Sequence, residues 1–93
     1  MNQNGTALIT GGARRIGRAI ALRLAELGFN IALHYNASRG DAERVANEIE
    51  CAGGHCELFA CDLSHGDAPL QLIDGVTDVF SDLSILVNNA SIF

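Results

Sequence analysis

The stretch TGGARRIGRAIALRLAELG, residues 10–28, predicts a glycine-rich turn that opens a helix. Arg14, Arg15 and Arg18 fall at or just inside the predicted helix start, and no acidic residue follows before Glu26. The N-terminus of a helix carries a partial positive charge, so cations are unfavourable there unless an anion binds beside them. The pattern therefore indicates that this turn binds an anion.

Length and composition limit the class of protein. The chain has 93 residues, enough for one small domain, and its 48% apolar and 18% charged residues are typical of a globular protein. The net charge of −5 argues against a general nucleic-acid binder, and no apolar run approaches the ~20 residues of a membrane span. The first residues, MNQNG, lack the pattern of a signal peptide, so we expect a cytoplasmic location.

Charge and cysteine usage add two expectations. Five arginines and one acid fall in residues 1–39, whereas residues 40–93 hold one arginine and ten acids, and the chain has no lysine. The positive charge is thus concentrated around the glycine-rich turn. Cysteines occur five residues apart, a spacing that matches no zinc site, so we expect small, buried, free thiols at Cys51, Cys56 and Cys61.

Apolar runs and helical periodicity alternate along the chain. We predict strands at residues 6–10, 30–35, 55–61 and 84–88, and helices at 15–27, 41–52 and after a cap at Gly66 or Asp67. The predicted inner faces hold Ile16, Ala19, Ile20, Leu24 and Leu27 in the first helix, and Leu70, Ile73, Val76 and Phe80 in the third. This alternation predicts an α/β fold, a parallel sheet of the doubly wound Rossmann type with helices on both faces. About four strands are present where such folds have about six or seven, so we expect residues 1–93 to be the N-terminal half of one domain.

The glycines of the turn suit phosphate binding. Gly11 and Gly12 follow the first strand, and Gly17 permits close packing of strand and helix. Without a lysine the turn is not a P-loop. A plain strand-to-helix turn is the alternative.

Three motifs resemble those of the short-chain dehydrogenase/reductase family, and together they extend across the chain. The turn TGGARRIG, residues 10–17, is similar to the TGxxxGxG turn of the family. CDLS, which contains Asp62, resembles the segment whose aspartate meets the adenine ring, and LVNNAS at 86–91 resembles the NNAG after the fourth strand. The resemblance implies a strand order of 3-2-1-4 and hydride transfer between a nicotinamide cofactor and a carbonyl or imine.

Departures from the family pattern point to one branch. Arg15 stands where the middle glycine of the turn is usual, and Ser91 replaces the glycine of NNAG. With LHY at 33–35, both resemble the pteridine reductases, which reduce pterins or folates with NADPH. Carbonyl and acyl-thioester reductases of the family share much of the rest, so this assignment stays open.

The end of the second strand indicates NADP rather than NAD. An NAD site needs an acid there, but Tyr35, Asn36 and Ala37 occupy the place. A 2′-phosphate would meet Arg15, Ser38 and Arg39, although the pteridine reductases carry an arginine at the position of Ala37. Solvated surface arginines are the alternative. The cofactor-binding residues that these motifs imply are Gly11, Arg14, Arg15, Ile16, Gly17, Tyr35, Asn36, Ser38, Arg39, Asp62, Leu63, Asn89, Ala90 and Ser91. The alternatives are a helix-leading cap for Asp62 and a strand-end turn for the asparagines.

The catalytic centre of the family, a tyrosine and a lysine four residues apart, has no match here. The chain has no lysine, and its one tyrosine, Tyr35, falls at the adenine end. We therefore expect an NADP-binding portion of a reductase that is not catalytic alone, or else a non-catalytic nucleotide-binding or interaction module completed by another chain. Because the fourth strand would lie at a sheet edge, we also expect self-association or a completing chain there.

Overall fold

Seven elements alternate along the chain in the computed structural model, which describes residues 4–90. They are β1 (Thr6–Thr10), α1 (Arg15–Glu26), β2 (Asn30–Tyr35), α2 (Arg39–Cys51), β3 (Cys56–Ala60), α3 (Ala68–Val79) and β4 (Leu83–Asn88). Each predicted strand and helix is present. The ends of β1 and β2 are as predicted, and those of α1, β3 and β4 differ by one residue. Helix α2 begins two residues earlier than expected, with Ser38 as its N-cap.

The four strands form one parallel sheet in the order β3-β2-β1-β4. Leu8 of β1 lies between Ala32 of β2 and Leu86 of β4, and β2 pairs with β3 through Leu33 and Leu58. The predicted α/β fold of Rossmann type and its strand order are confirmed. Since parallel strands end at the same side of the sheet, the segments after β1, β2 and β4 are brought together there.

Helices cover both faces of the sheet. Helices α1 and α2 pack on one face, where Ile9, Ile31 and Leu33 are fully buried. Helix α3 packs on the other face, over Leu8 and Ala32. Strands β1 and β2 are therefore buried on both sides, which explains their almost continuous apolar sequences.

Two of the predicted inner faces need correction. In α3 the inner stripe is Ala68, Leu72 and Val76, at intervals of four residues, whereas Leu70 is half a turn away and 68% exposed. On the predicted inner face of the first helix, Ile16 is also 68% exposed, because the residues of α1 that approach the sheet are Gly17 and Ala21. Leu27 is 47% exposed, and Ala19 is exposed as well. Apolar periodicity located both helices but did not separate the buried apolar residues from exposed ones beside them.

The cysteines are free, but they do not share one environment. Cys56 is buried and Cys61 is half-buried, whereas Cys51 is exposed at the end of α2, contrary to the expectation of a buried thiol. Burial raises the pKa of the Cys56 thiol to about 12, and the nearby carboxylates of Glu50 and Glu57 add to the shift. Within residues 4–90, no helix combines the length and the apolar character that a membrane span requires.

Candidate functional site

A cleft of about 590 Å³ opens at the carboxyl ends of the strands, between the turn after β1, the end of β2 and the segment after β4. Its volume lies within the usual range of small-molecule sites. Its lining consists of Gly11, Ala13, Arg14, Arg15, Ile16, His34, Tyr35, Asn36, Ala37, Ser38, Asn89 and Ala90. Ligands of open α/β sheets bind in a crevice at this position, so the cleft is the candidate site.

Two glycines allow the turn to pack closely. Gly11 has a φ of +63°, and a β-carbon on it would lie 3.0 Å from the Cα of Ala90. A β-carbon on Gly17 would contact the Gly11 carbonyl oxygen and lie 2.6 Å from the Asn89 side-chain amide. Helix α1 therefore begins against the turn and against the segment after β4, which only a glycine at position 17 permits.

Arg15, which stands at the place of the middle glycine of the motif, has a left-handed backbone conformation of the kind that favours glycine. Its φ is +53°, and it is the only non-glycine residue with a positive φ in residues 4–90. Such a conformation costs of order 1–3 kcal/mol and is typically found where function requires it. The side chain is exposed and lines the cleft.

The N-termini of two helices meet at this cleft. Arg14 is the N-cap of α1 and Ser38 is the N-cap of α2, and neither side chain makes a capping hydrogen bond. The first turn of α1 holds no acidic residue. The first amides of a helix have no acceptor within the helix, so each terminus presents N–H donors and a partial positive charge. The cleft is thus suited to an anion with more than one charged group.

The arginines around the cleft differ in their partners. The Nε of Arg14 lies 3.5 Å from Asp41 Oδ2, so an acid of α2 partly neutralises it. Arg39 is the first residue of α2 and does not line the cleft. Its guanidinium donates to the Tyr35 hydroxyl at 3.3 Å and pairs with Glu43 at 3.3 Å. Arg15 is therefore the cleft arginine with no ion pair among the described residues.

Thr10 and Asn89 join the end of β1 to the end of β4. The Thr10 hydroxyl accepts hydrogen bonds from the amides of Asn89 and Ala90, at 2.9 and 3.1 Å. The Asn89 side chain donates to the Gly11 carbonyl oxygen at 3.1 Å. The first asparagine of the pair, Asn88, is exposed at the end of β4. The side chain of Asn89, which the motifs imply to be a cofactor-binding residue, therefore also braces the glycine turn.

Asp62 and Leu63, both predicted as cofactor-binding residues, do not line the cleft. Asp62 accepts hydrogen bonds from the amide and hydroxyl of Ser64, at 3.0 and 2.6 Å, and these lower the pKa of its carboxyl. Leu63 packs under α3. Gly17 packs closely against Gly11 and Gly12 and does not line the cleft, and Ser91 lies outside the described residues.

The structure thus gathers nine of the predicted residues in the cleft lining: Gly11, Arg14, Arg15, Ile16, Tyr35, Asn36, Ser38, Asn89 and Ala90. It adds three that sequence reasoning did not assign, Ala13, His34 and Ala37. A histidine near the end of an otherwise apolar strand was the available signal for His34. No group of histidine, cysteine or carboxylate side chains within residues 4–90 is suited to hold a metal ion.

Comparison with known proteins supplies the family. The model of the short chain dehydrogenase family matches residues 5–93. The 3-oxoacyl-(acyl-carrier-protein) reductase FabG of Staphylococcus epidermidis is 42% identical over 89 residues, which are 96% of this chain and 36% of the relative. The short-chain dehydrogenase/reductase homolog YusS of Bacillus subtilis is 36% identical over 96% of this chain and 82% of its own length.

A solved structure of a reductase is similar to this chain in both sequence and fold. FolM alternative dihydrofolate reductase 1 from Brucella suis, in complex with NADP, superposes with a TM-score of 0.88 at 41% identity. The match covers 100% of this chain and 37% of that protein. The chain therefore spans little more than a third of the length of FabG and FolM.

Proposed function

Because the chain belongs to the short-chain dehydrogenase family, we propose that it is the cofactor-binding part of an NADP-dependent reductase. The proposed reaction of the whole enzyme is hydride transfer between NADP(H) and a carbonyl or a pterin-type imine. One observation carries the proposal: two uncapped helix N-termini and the unpaired Arg15 face the same cleft. That arrangement suits a ligand with a pyrophosphate and a further phosphate.

The residues of the cleft fit NADP(H) better than NAD(H). The pyrophosphate would bind at the N-terminus of α1, where glycines allow a close approach. The 2′-phosphate would bind near Arg15 and Ser38, at the start of α2. No acid follows β2 before Asp41, and the Asp41 carboxylate is engaged by Arg14 and Arg44. Arg39 would join this site only by leaving Tyr35 and Glu43.

Two substrate classes fit the family reaction. FolM is named a dihydrofolate reductase, and its likeness to this chain supports a pterin or folate. The FabG relatives are named 3-oxoacyl reductases, and they support an acyl thioester. We propose the pterin class, because Arg15 and the LHY segment at 33–35 resemble that branch.

We further propose that residues 1–93 bind the cofactor without turning it over. The chain has one tyrosine and no lysine, so it lacks the pair that the family uses for proton transfer. Tyr35 is 7% exposed and its hydroxyl accepts a hydrogen bond from Arg39. It lies at the end of β2, on the side of the cleft proposed for the 2′-phosphate.

Cofactor titration tests the proposal. NADPH fluorescence should report saturable binding to the purified chain, with NADH at least about tenfold weaker, since a charge-assisted hydrogen bond contributes roughly 1.5–3 kcal/mol. Equal affinity for both cofactors would contradict the NADP assignment. NADPH oxidation with dihydropterin and 3-oxoacyl substrates should stay at background, and turnover above a heat-inactivated control would contradict the proposed lack of catalysis.

A second candidate is a nucleotide-binding module without reductase chemistry. The relation to YusS favours it, because this chain covers 82% of that homolog and only 36% of FabG. A family member thus exists whose length is little more than that of this chain. A coding sequence that continues past Phe93 into a Tyr-x-x-x-Lys segment would exclude this candidate.

We propose that the free edge of β4 is covered by another segment, either a second copy of the chain or a completing chain. Among residues 4–90, strand β4 pairs with β1 alone and is the outermost strand of the sheet. The strand LSILVN has no charged side chain, whereas the other outer strand, β3, carries Glu57. Uncharged edge strands are templates for further pairing.

A further inference from the structure

His34 is a buried imidazole with two hydrogen bonds to different segments. It lies near the end of β2 and is 2% exposed, whereas His55 and His65 are exposed. Its Nδ1 lies 3.0 Å from the amide nitrogen of Gly11, in the turn after β1. Its Nε2 lies 2.7 Å from the carbonyl oxygen of Cys61, after β3. The ring therefore links three strand ends at the floor of the cleft.

These partners determine the protonation state of the ring. A backbone amide can only donate, so Nδ1 must keep its lone pair, and a carbonyl can only accept, so Nε2 must carry the proton. His34 is thus neutral in this arrangement, as the Nε2–H tautomer. A doubly protonated ring would have no acceptor for the Gly11 amide.

His34 also directs the amides of the glycine turn. Its ring accepts the N–H of Gly11, and its main-chain carbonyl accepts the N–H of Gly12 at 3.0 Å. Both amides therefore point toward β2 rather than into the cleft. The amides of the first turn of α1, which have no acceptor within the helix, remain as donors at the cleft.

We infer that His34 is a positioning residue for the phosphate-binding turn, acting through the amide of Gly11. It holds the turn so that the N-terminus of α1 is directed toward the phosphates of the ligand. This role rests on the proposed binding of a dinucleotide, although the hydrogen-bonded link itself does not. Since the link serves the shared pyrophosphate site, its loss should weaken NADPH and NADH by the same factor.

Three substitutions separate the two hydrogen bonds. His34→Val fills the strand position but leaves the buried Gly11 amide without an acceptor, and should weaken both cofactors about tenfold. His34→Asn places an amide oxygen close to the position of Nδ1 and should keep affinity within about threefold of wild type. His34→Gln places a donor near Nε2 for Cys61 but not the acceptor for Gly11, and should resemble His34→Val.

Two measurements accompany the titrations, and both use the free protein. Nitrogen NMR should identify the Nε2–H tautomer of His34. Hydrogen exchange at the Gly11 amide should be slow in wild type and in His34→Asn, and fast in His34→Val.

Particular outcomes would overturn the inference. If His34→Val bound both cofactors with the affinity of the wild type, His34 would not position the phosphate-binding turn. Equal losses of affinity and thermal stability in all three variants, His34→Asn included, would reduce His34 to a structural residue. If wild type binds neither cofactor, the proposed function fails, and the exchange of the Gly11 amide still decides whether His34 fixes the turn.

Discussion

The side-chain amide of Asn89 donates a hydrogen bond to the carbonyl oxygen of Gly11 across 3.1 Å. These two residues belong to different strand ends, 78 positions apart in sequence. The same carbonyl would meet a β-carbon on Gly17, so the turn, the start of α1 and the end of β4 are packed at one point. The shape of the cleft depends on that contact.

Gly17→Ala should distort the packing between the glycine turn, the start of α1 and the end of β4. The added methyl group would press on the Gly11 carbonyl and the Gly12 Cα, which are backbone atoms that cannot move aside cheaply. Overpacking of this kind costs roughly 1–3 kcal/mol of unfolding free energy. We expect a lower denaturation midpoint together with loss of saturable NADPH binding, measured by urea titration and cofactor fluorescence.

Gly75→Ala is the matched control. Gly75 lies within α3, and a β-carbon on it would have no neighbour within 4 Å among the described atoms. Alanine is favoured over glycine in a helix interior by about 0.5–1 kcal/mol, so this variant should be stabilised and should bind NADPH normally. If Gly17→Ala and Gly75→Ala had the same denaturation midpoint and the same NADPH affinity, close packing at Gly17 would not be needed for stability or for cofactor binding.

Arg15→Gly should separate binding from stability. Glycine adopts the observed φ of +53° without strain but costs backbone entropy, so the net change in unfolding free energy should be within about 1 kcal/mol. Loss of the charge should weaken NADPH about tenfold or more and leave NADH nearly unchanged. The measurement is the ratio of the two dissociation constants.

Arg23→Ala controls for loss of a positive charge. Arg23 is 67% exposed in the last turn of α1, where it pairs with Glu26, and it does not line the cleft. Its removal should leave the ratio of NADPH to NADH affinity unchanged. A similar fall in the ratio of NADPH to NADH affinity in Arg15→Gly and Arg23→Ala would mean that Arg15 acts only through the net charge of the chain.

Cys56 should make the fold sensitive to alkali. Its pKa is about 12 in the folded chain against an ordinary 9.0, so the unfolded chain releases the proton first as pH rises. The contribution of the neutral Cys56 thiol to the unfolding free energy is fully present below pH 9.0 and is lost progressively as the pH rises toward 12. Urea denaturation across this range should show a decline in unfolding free energy that is shallower in Cys56→Ala.

Cys51→Ala provides the comparison, since Cys51 is exposed. It should keep the alkaline decline of the wild type. A thiol reagent at neutral pH should modify Cys51 rapidly and Cys56 only on unfolding, because the buried thiol is neutral and inaccessible. Rapid modification of Cys56 in the folded chain would contradict its assigned burial.

The β4 edge should govern self-association. Leu86 of β4 is 57% exposed, and a lysine there would place a charge on the outer strand. We expect light scattering to show concentration-dependent association of the wild type and a shift of Leu86→Lys toward monomer.

Leu70→Lys tests whether exposed apolar surface alone is responsible. Leu70 is 68% exposed on α3, away from the sheet edge. The Leu70→Lys variant should therefore self-associate to the same extent as the wild type. A wild type that stays monomeric at high concentration, with slowly exchanging amides along residues 83–88, would refute pairing through this edge.

The sequence predicted the fold well because its signals are local. Alternating apolar strands and amphipathic helices are separated by glycines, and each strand and helix was found within two residues of its predicted ends. Whether an apolar residue is covered depends instead on which helix crosses which strand. Leu70 and Ile16 were assigned to inner faces for that reason and proved exposed.

The sequence predicted most residues of the candidate site but not the contacts between their side chains. The turn motif and the LVNNAS motif assigned Gly11, Arg15 and Asn89 to one cofactor site, and all three line the cleft. Spacing alone did not reveal that the Arg39 side chain is held by Tyr35 and Glu43. It also did not reveal the hydrogen bonds of His34, because they join residues 23 and 27 positions away.

The strand order has a consequence for the path of folding. Strand β1 meets β2 through contacts such as Gly11 with His34, 23 residues apart, but meets β4 through Thr10 and Val87, 77 residues apart. Closing the longer loop costs about 1 kcal/mol more in chain entropy. On a ribosome, β1, α1 and β2 can therefore assemble early, while β4 must wait until Asn89 has left the exit tunnel. The cleft of the nascent chain would therefore take shape only after β4 has joined the sheet.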